Sequence, residues 1–239
     1  MDKPKTLIDI DGALALTTSE VMENHKQYAN AGMTTLLSML GLAKKMVRAE
    51  GSYIWDSDGN KYIDFLAGYG SVSLGHNHPR ITEALKKVET MPNIFQVSLG
   101  IMTGVLARNI AALAPGGLQR SFFGNSGAEA VEGALKLARA ASGKTQIIYA
   151  DNSFHGKSFG ALSVTGRDKY QKPFIPLLPD VKRIPFGDAG ALENVLRNRD
   201  VAAFIVEPIQ GEGGIIIPPQ GYLAEIRHLC TKYETLLIL

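Results

Sequence analysis

The rhythm of apolar and polar positions changes along the chain. In the first fifty residues the spacing is helical, in two pieces: a polar, amphipathic stretch over 18–28 and a more apolar one over 33–42. Residues 53–65 then place Asp58-Gly59 between aromatic and β-branched residues, which predicts a hairpin. Gly68, Gly70 and Gly75 predict a loop whose backbone turns tightly or approaches something closely. Pro79 suits a helix start, with Ile81, Ala84, Leu85 and Val88 on one face.

Beyond residue 100 helical spacing alternates with short apolar runs. Helices are predicted over 103–113, 127–141 (ending near Gly143), 189–197 and 222–233. Strands are predicted over 120–123, 146–150, 181–185, 201–206 and 236–239. This alternation predicts an α/β domain built on a mainly parallel sheet with flanking helices. There is no internal repeat and no low-complexity segment.

Composition narrows the classes. The 239 residues hold 25 Lys+Arg against 23 Asp+Glu, a net +2 that gives no support to a nucleic-acid binder. The 45% apolar content is ample for a packed core. A single cysteine, Cys230, excludes an internal disulfide framework and a Cys-rich zinc site. No apolar run approaches the ~20 residues that a membrane helix needs. Asp2, Asp9 and Asp11 stand where a signal sequence would be basic and then apolar. A soluble protein of a reducing compartment, the cytoplasm, is expected. The last residues, Leu-Leu-Ile-Leu, read as a buried strand with no polar close, and the expectation is a chain cut short.

Four segments could carry chemistry. In Asn125-Ser126-Gly127-Ala128-Glu129-Ala130, Ser126 and Glu129 have capping-box spacing at the start of a helix whose apolar face is Val131, Leu135 and Ala138. A helix start with free N–H groups binds phosphate, and a capped helix with no ligand would have the same sequence. His155, in Phe154-His155-Gly156, follows a predicted strand, at the sheet edge where α/β proteins form ligand sites. An aromatic there can stack on a planar ligand, but a packed Phe and a hydrogen-bonded His account for it equally. Glu207 comes directly after the run 201–206 and opens Glu-Pro-Ile-Gln-Gly-Glu-Gly-Gly; so near a core strand it must be paired or hydrogen-bonded, unless it is simply solvated at the strand exit. His76 and His78 lack a carboxylate cluster and read as polar loop residues rather than metal ligands.

Two superficial matches fail. Gly143-Lys144-Thr145 resembles the end of a P-loop, but Ala138 holds the position of its first glycine and the segment closes a helix instead of opening one. The surroundings of Ser126 resemble a nucleophile elbow whose last glycine is replaced by Ala128.

Taken in order, these segments resemble the class III pyridoxal-phosphate aminotransferases of fold type I. The matching stretches are the Trp55–Gly59 hairpin with 62–65, Gly75-His-Asn-His-Pro79, Asn125–Ala130, Phe154-His-Gly156, 161–165 and Glu207–Gly213. They cover nearly all of the chain beyond about residue 45. Within the family, residues 155–185 look most like the putrescine, ornithine and acetylornithine aminotransferases.

The resemblance implies a PLP-dependent transferase fold of type I. Residues 1–74 would supply part of the small domain and the substrate-side loop, and 75–239 an incomplete large domain. It implies pyridoxal 5'-phosphate as cofactor, its phosphate on the backbone of Ser126, Gly127 and Ala128. Phe154 would stack on the ring, His155 and Gly156 would shape the same wall, and Glu207 would help to place the ring's polar groups. Tyr69 and Gly70 would belong to the substrate side, with Glu212 as the glutamate that pairs with a substrate-binding arginine. The partners would be a small amine, a 2-oxo acid and a second copy of the chain, with neither nucleic acid nor membrane.

Two family elements find no counterpart here: the aspartate that meets the pyridine nitrogen and the Schiff-base lysine. The chain by itself is therefore expected to be inactive. A non-catalytic remnant, another class III enzyme (an aminomutase or a decarboxylase) and an unrelated phosphate-binding domain are the other readings.

Overall fold

A computed structural model describes residues 6–92 and 97–239. Residues 1–5, the start of the expected N-terminal segment, and 93–96 lie outside it. The chain divides into two compact bodies, Met1–Ser98 and Leu99–Leu239.

The first body begins with α1 (Ile10–Ala15), α2 (Thr18–Asn24) and α3 (Ala31–Met39). Each starts on a side-chain cap: Asp9, Thr17 and Asn30 accept from the first turns of their helices, and Thr17 with Glu20 forms a full capping box. A π-helical turn, His25–Ala29, continues α2, so the predicted piece over 18–28 is helical to its end. The predicted hairpin is present as β2 (Tyr53–Asp56) and β3 (Lys61–Ile63), and β1 (Met46–Glu50), which the sequence did not announce, pairs antiparallel on its other side.

The hairpin is held by one carboxylate. Asp56 is buried and accepts from the N–H groups of Asp58 (3.0 Å) and Asn60 (2.8 Å), from the Asn60 amide and from the Tyr62 hydroxyl (2.7 Å). These donors, the Asn60 side chain first, hold its carboxyl far below the usual carboxylate range. On the sheet surface Arg48, Trp55 and Lys61 are cross-strand partners, and the two cations lie 4.5 and 5.4 Å from the indole. Gly68, Gly70 and Gly75 all adopt positive φ. A Cβ on Gly75 would come within 2.9 Å of the Gly51 backbone, so the expected close approach is real. His76 pairs with Asp64 at 2.8 Å, a structural role. The helix α4 (Pro79–Lys87) begins on Pro79, as expected.

The second body contains α5 (Ile101–Leu113), α6 (Gly127–Ser142), β4 (Gln146–Ala150), α7 (Phe159–Ser163), α8 (Asp168–Gln171), β5 (Val181–Ile184), α9 (Ala189–Leu196), β6 (Val201–Ile205), α10 (Tyr222–Lys232) and β7 (Leu236–Ile238). The four strands form a parallel sheet in the order β5-β4-β6-β7. Parallel strands need helical crossovers, and helices on both faces bury the central strands β4 and β6. Side-chain alternation then divides the core in two. Ile148, Ala150, Phe204 and Val206 pack with Leu192, Leu196, Tyr222, Ile226 and Cys230 of α9 and α10. Ile147, Tyr149, Ala203 and Ile205 pack with Leu135 and Ala138 of α6. The decoy Gly143 is the left-handed cap that ends α6.

One predicted strand is corrected. Residues 120–123 form none, and Phe122 is largely exposed. An extended apolar run becomes a strand only where a neighbour completes its hydrogen-bond ladder, and no described strand lies beside this one. Among the described residues no helix is long and apolar enough to cross a membrane.

Phe204 is fully buried at the centre of the sheet. Phe204→Ala should lower the stability of this body by about 3–5 kcal/mol, read from its denaturant midpoint.

Candidate functional site

The strands β4 and β6 lie side by side in register, Ile148 opposite Phe204 and Tyr149 opposite Ile205. Both point the same way, so the segments that follow them, 151–158 and 206–214, leave the sheet together. This is the C-terminal edge, where α/β sheets hold ligands. Three of the four sequence-predicted segments meet here or beside it.

Glu207 joins the two exits. Its Oε2 accepts from the N–H of Phe154 at 3.1 Å, and its Oε1 accepts from the N–H of Gly211 at 3.3 Å. Burial pushes its carboxyl above the usual range, and the two N–H donors oppose that. The requirement that a carboxylate beside a core strand be hydrogen-bonded is thus met by backbone. Gln210, fully buried, adds a second tie by donating to the carbonyl of Asp151.

The Phe154–Gly156 segment is fixed on its other side by residues 164–166. Ser153 Oγ donates to the carbonyl of Val164 and accepts from the N–H of Gly166. The N–H of His155 donates to Thr165 Oγ1 at 3.0 Å. Phe154 is half-buried and meets the Tyr170 ring edge-on, with centroids 6.1 Å apart. The His155 imidazole is largely buried, and its Nε2 has no hydrogen-bond partner among the described residues. Burial alone pulls its pKa down to about 4, so it is neutral at pH 7.

The start of α6 closes the group. Ser126 is the N-cap and its Oγ accepts from the N–H of Glu129 at 3.2 Å. The expected capping box is only half formed. The Glu129 carboxylate reaches one residue further back, to the N–H of Asn125. The N–H groups of Gly127 and Ala128 have no protein partner among the described residues, as the first turn of a helix leaves them. Gly156 connects this turn to the Phe154 segment. Its φ is +134°, and a Cβ there would lie 2.8 Å from the Ala128 Cβ and 3.0 Å from the Ala161 Cβ. Helix start, aromatic segment and Glu207 therefore form one packed assembly.

Glu212 is exposed on the loop after Glu207, its Oε2 3.9 Å from Arg167 Nη1, which also donates to the Glu212 carbonyl. Tyr69 and Gly70 lie in the 3₁₀ turn Ala67–Gly70 of the other body, and the Tyr69 ring is exposed. Among the described residues no three His, Cys, Asp or Glu side chains are grouped to hold a metal ion. Sequence reasoning missed Glu132 and Arg167, whose partners lie more than 25 residues away and leave no local pattern.

Comparison with known proteins identifies the family. The model of the class-III aminotransferase family matches residues 40–239. The chain belongs to that family. It is 40% identical to the putrescine aminotransferase of Pectobacterium atrosepticum over an alignment of 247 positions that covers 95% of this chain and 51% of the relative. It is 44% identical to the acetylornithine aminotransferase of Methanopyrus kandleri over 194 residues, 81% of this chain and 50% of the relative. The crystal structure of ornithine aminotransferase from Toxoplasma gondii superposes with a TM-score of 0.83 at 33% identity, over 98% of this chain and 56% of that one. The chain thus spans about half the length of these relatives. Other solved relatives hold pyridoxal phosphate, one of them together with glutamate. The expected fold class, an α/β fold of the PLP-dependent transferase type, is borne out.

Two outcomes follow for the isolated chain. Gly156→Ala should cost about 2 kcal/mol or more in a thermal melt, because both the positive φ and the Ala128 contact oppose a Cβ. His155 binds a proton more weakly folded (about 4) than unfolded (6.5). Its contribution is fully present above pH 6.5 and is lost as pH falls to 4, about 3 kcal/mol in all. Urea midpoints at pH 7, 5 and 4 should therefore drop less steeply in His155→Gln than in the wild type.

Proposed function

We propose that the intact protein is a pyridoxal-phosphate-dependent aminotransferase. It moves the terminal amine of a diamine or ω-amino acid, such as putrescine, ornithine or acetylornithine, onto a 2-oxo acid. The observation that carries this reading is the joining of a helix start with free N–H groups to an aromatic segment hung on Glu207, in a chain of the class III family. Membership alone supports amine and 2-oxo acid substrates. The names of the relatives support the narrower choice.

The residues present fit the cofactor. The N–H groups of Ser126, Gly127 and Ala128 would take its phosphate, with the positive end of the α6 dipole behind them. Gly156 lets backbone come close where a side chain would fill the space. Phe154 would lie against the ring face, and the unpartnered Nε2 of His155 offers a polar group in the same wall. Glu207 acts through the Phe154 N–H, holding that wall in place. When bound, pyridoxal phosphate supplies the electron sink that lets a C–H bond beside the substrate nitrogen ionise. The part of this chain is to hold the cofactor's two ends at a fixed separation and to keep water from the ring.

Further assignments belong to the same proposal. Tyr69, Gly70 and Glu212 contribute to the substrate side. Residues 1–74 form part of a small domain, and 75–239 the front of a large one. The intact protein is a cytoplasmic homodimer that uses small molecules, not nucleic acid or membrane.

The test is direct. The full-length protein is incubated with pyridoxal phosphate, 2-oxoglutarate and, in turn, putrescine, ornithine and acetylornithine. Glutamate should appear with at least one donor. No glutamate with any of them, and no cofactor retained after dialysis, would overturn the reading.

A further inference from the structure

One carboxylate outside the predicted site has more to hold than its place in the sequence suggests. Glu132 lies in the second turn of α6, six positions after the N-cap Ser126. Its Oε1 accepts from the Ser158 hydroxyl (2.7 Å), the N–H of Gly160 (2.8 Å) and the N–H of Ala161 (3.2 Å). These are the donors that the start of α7 leaves over. The residue at its N-cap position, Ser158, makes no capping bond to its own helix. So α7 is capped by a side chain from another helix. The fit is close: a Cβ on Gly160 would fall 2.2 Å from the other Glu132 oxygen.

The position of this contact gives it consequence. The segment 154–161 is fixed at one end by Glu207 and Thr165, acting on the N–H groups of Phe154 and His155. Its other end is fixed by Glu132. Between them Gly156 is wedged against Ala128, in the first turn of α6, and Ala161, in α7. Glu132 therefore ties the wall segment to the helix whose start offers the free N–H groups.

We propose that Glu132 is a positioning residue for the cofactor. It sets the separation between the N–H groups at the start of α6 and the Phe154–Gly156 wall, without itself touching the ligand. This rests on the reading of the site as a pyridoxal-phosphate site. A loosened α7 start lets the wall drift from the helix start, and a rigid ligand bound at both ends then loses one of its contacts.

The experiment uses the full-length protein and two variants that keep a polar side chain. Glu132→Gln retains an acceptor oxygen at the same reach. Glu132→Asp retains the charge but is one methylene shorter, so it cannot meet all three donors. The cofactor dissociation constant is measured by equilibrium dialysis against pyridoxal phosphate. Amide hydrogen exchange at Gly160 and Ala161 is measured in the cofactor-free protein, and thermal melts accompany both. Glu132→Asp should bind the cofactor about tenfold or more weakly, with faster exchange at both amides. Glu132→Gln should stay within about threefold of wild type. The melting temperature of the cofactor-free Asp variant should change little, which separates positioning from general support of the fold. An Asp variant that exchanges faster but holds the cofactor as tightly as wild type would overturn the inference alone. A wild type that retains no pyridoxal phosphate would overturn the site reading, and this inference with it.

Discussion

The hydrogen bond from the Phe154 N–H to Glu207 is the constraint on which the site depends. It exists because β4 and β6 are neighbours in register, so that the chain leaves both strands at the same height. Neither exit segment has regular structure of its own to fix it. The carboxylate makes a non-local pair out of two loops, and it does so from a partly buried position where the bond is stronger than in water. The turns around Asn152, Gly166 and Gln210 then have a fixed frame to complete. Without it the sheet would still pack, but Gln210 would be left as the tie between its two edge loops.

The same edge shows how burial prepares polar groups for a ligand. His155 is held neutral by desolvation and has one nitrogen without a partner among the described residues. The first turn of α6 also offers N–H groups without a partner among the described residues, but Ser126 and Gly127 are exposed, so water serves those groups in the free protein. Unsatisfied polar groups cost stability in a protein core. A bound ring that met the His155 nitrogen would remove that cost, and binding would then strengthen the fold by mass action. At His155 the free protein therefore carries a local deficit, offset by the buried central strands β4 and β6 beneath it.

Much of this was legible in the sequence. The runs at 146–150 and 201–206 read as strands because a sheet covered on both faces needs unbroken apolar residues. The capped helix at 127 was legible because capping is local. Residues 120–123 show the limit of that reading: they have a strand's composition but no neighbour to pair with. The short helices α7 and α8 escaped because five and four residues are too few for a helical period. Glu132 escaped for a different reason. Its partners are 26 to 29 residues away, and only the folded chain brings the two helix starts together. For the site, the sequence marked Ser126, Phe154 and Glu207 as exceptional but could not say that Glu207 would act through backbone.

The cation-flanked Trp55 has a practical consequence. It is the only tryptophan in the chain, and it sits in the middle row of the three-stranded sheet between Arg48 and Lys61. Its emission is therefore a local reporter of that sheet. Far-ultraviolet circular dichroism, in contrast, sums over both bodies of the chain. Two optical signals followed in one titration thus give separate clocks, and any gap between their midpoints measures how far the two bodies act as one cooperative unit.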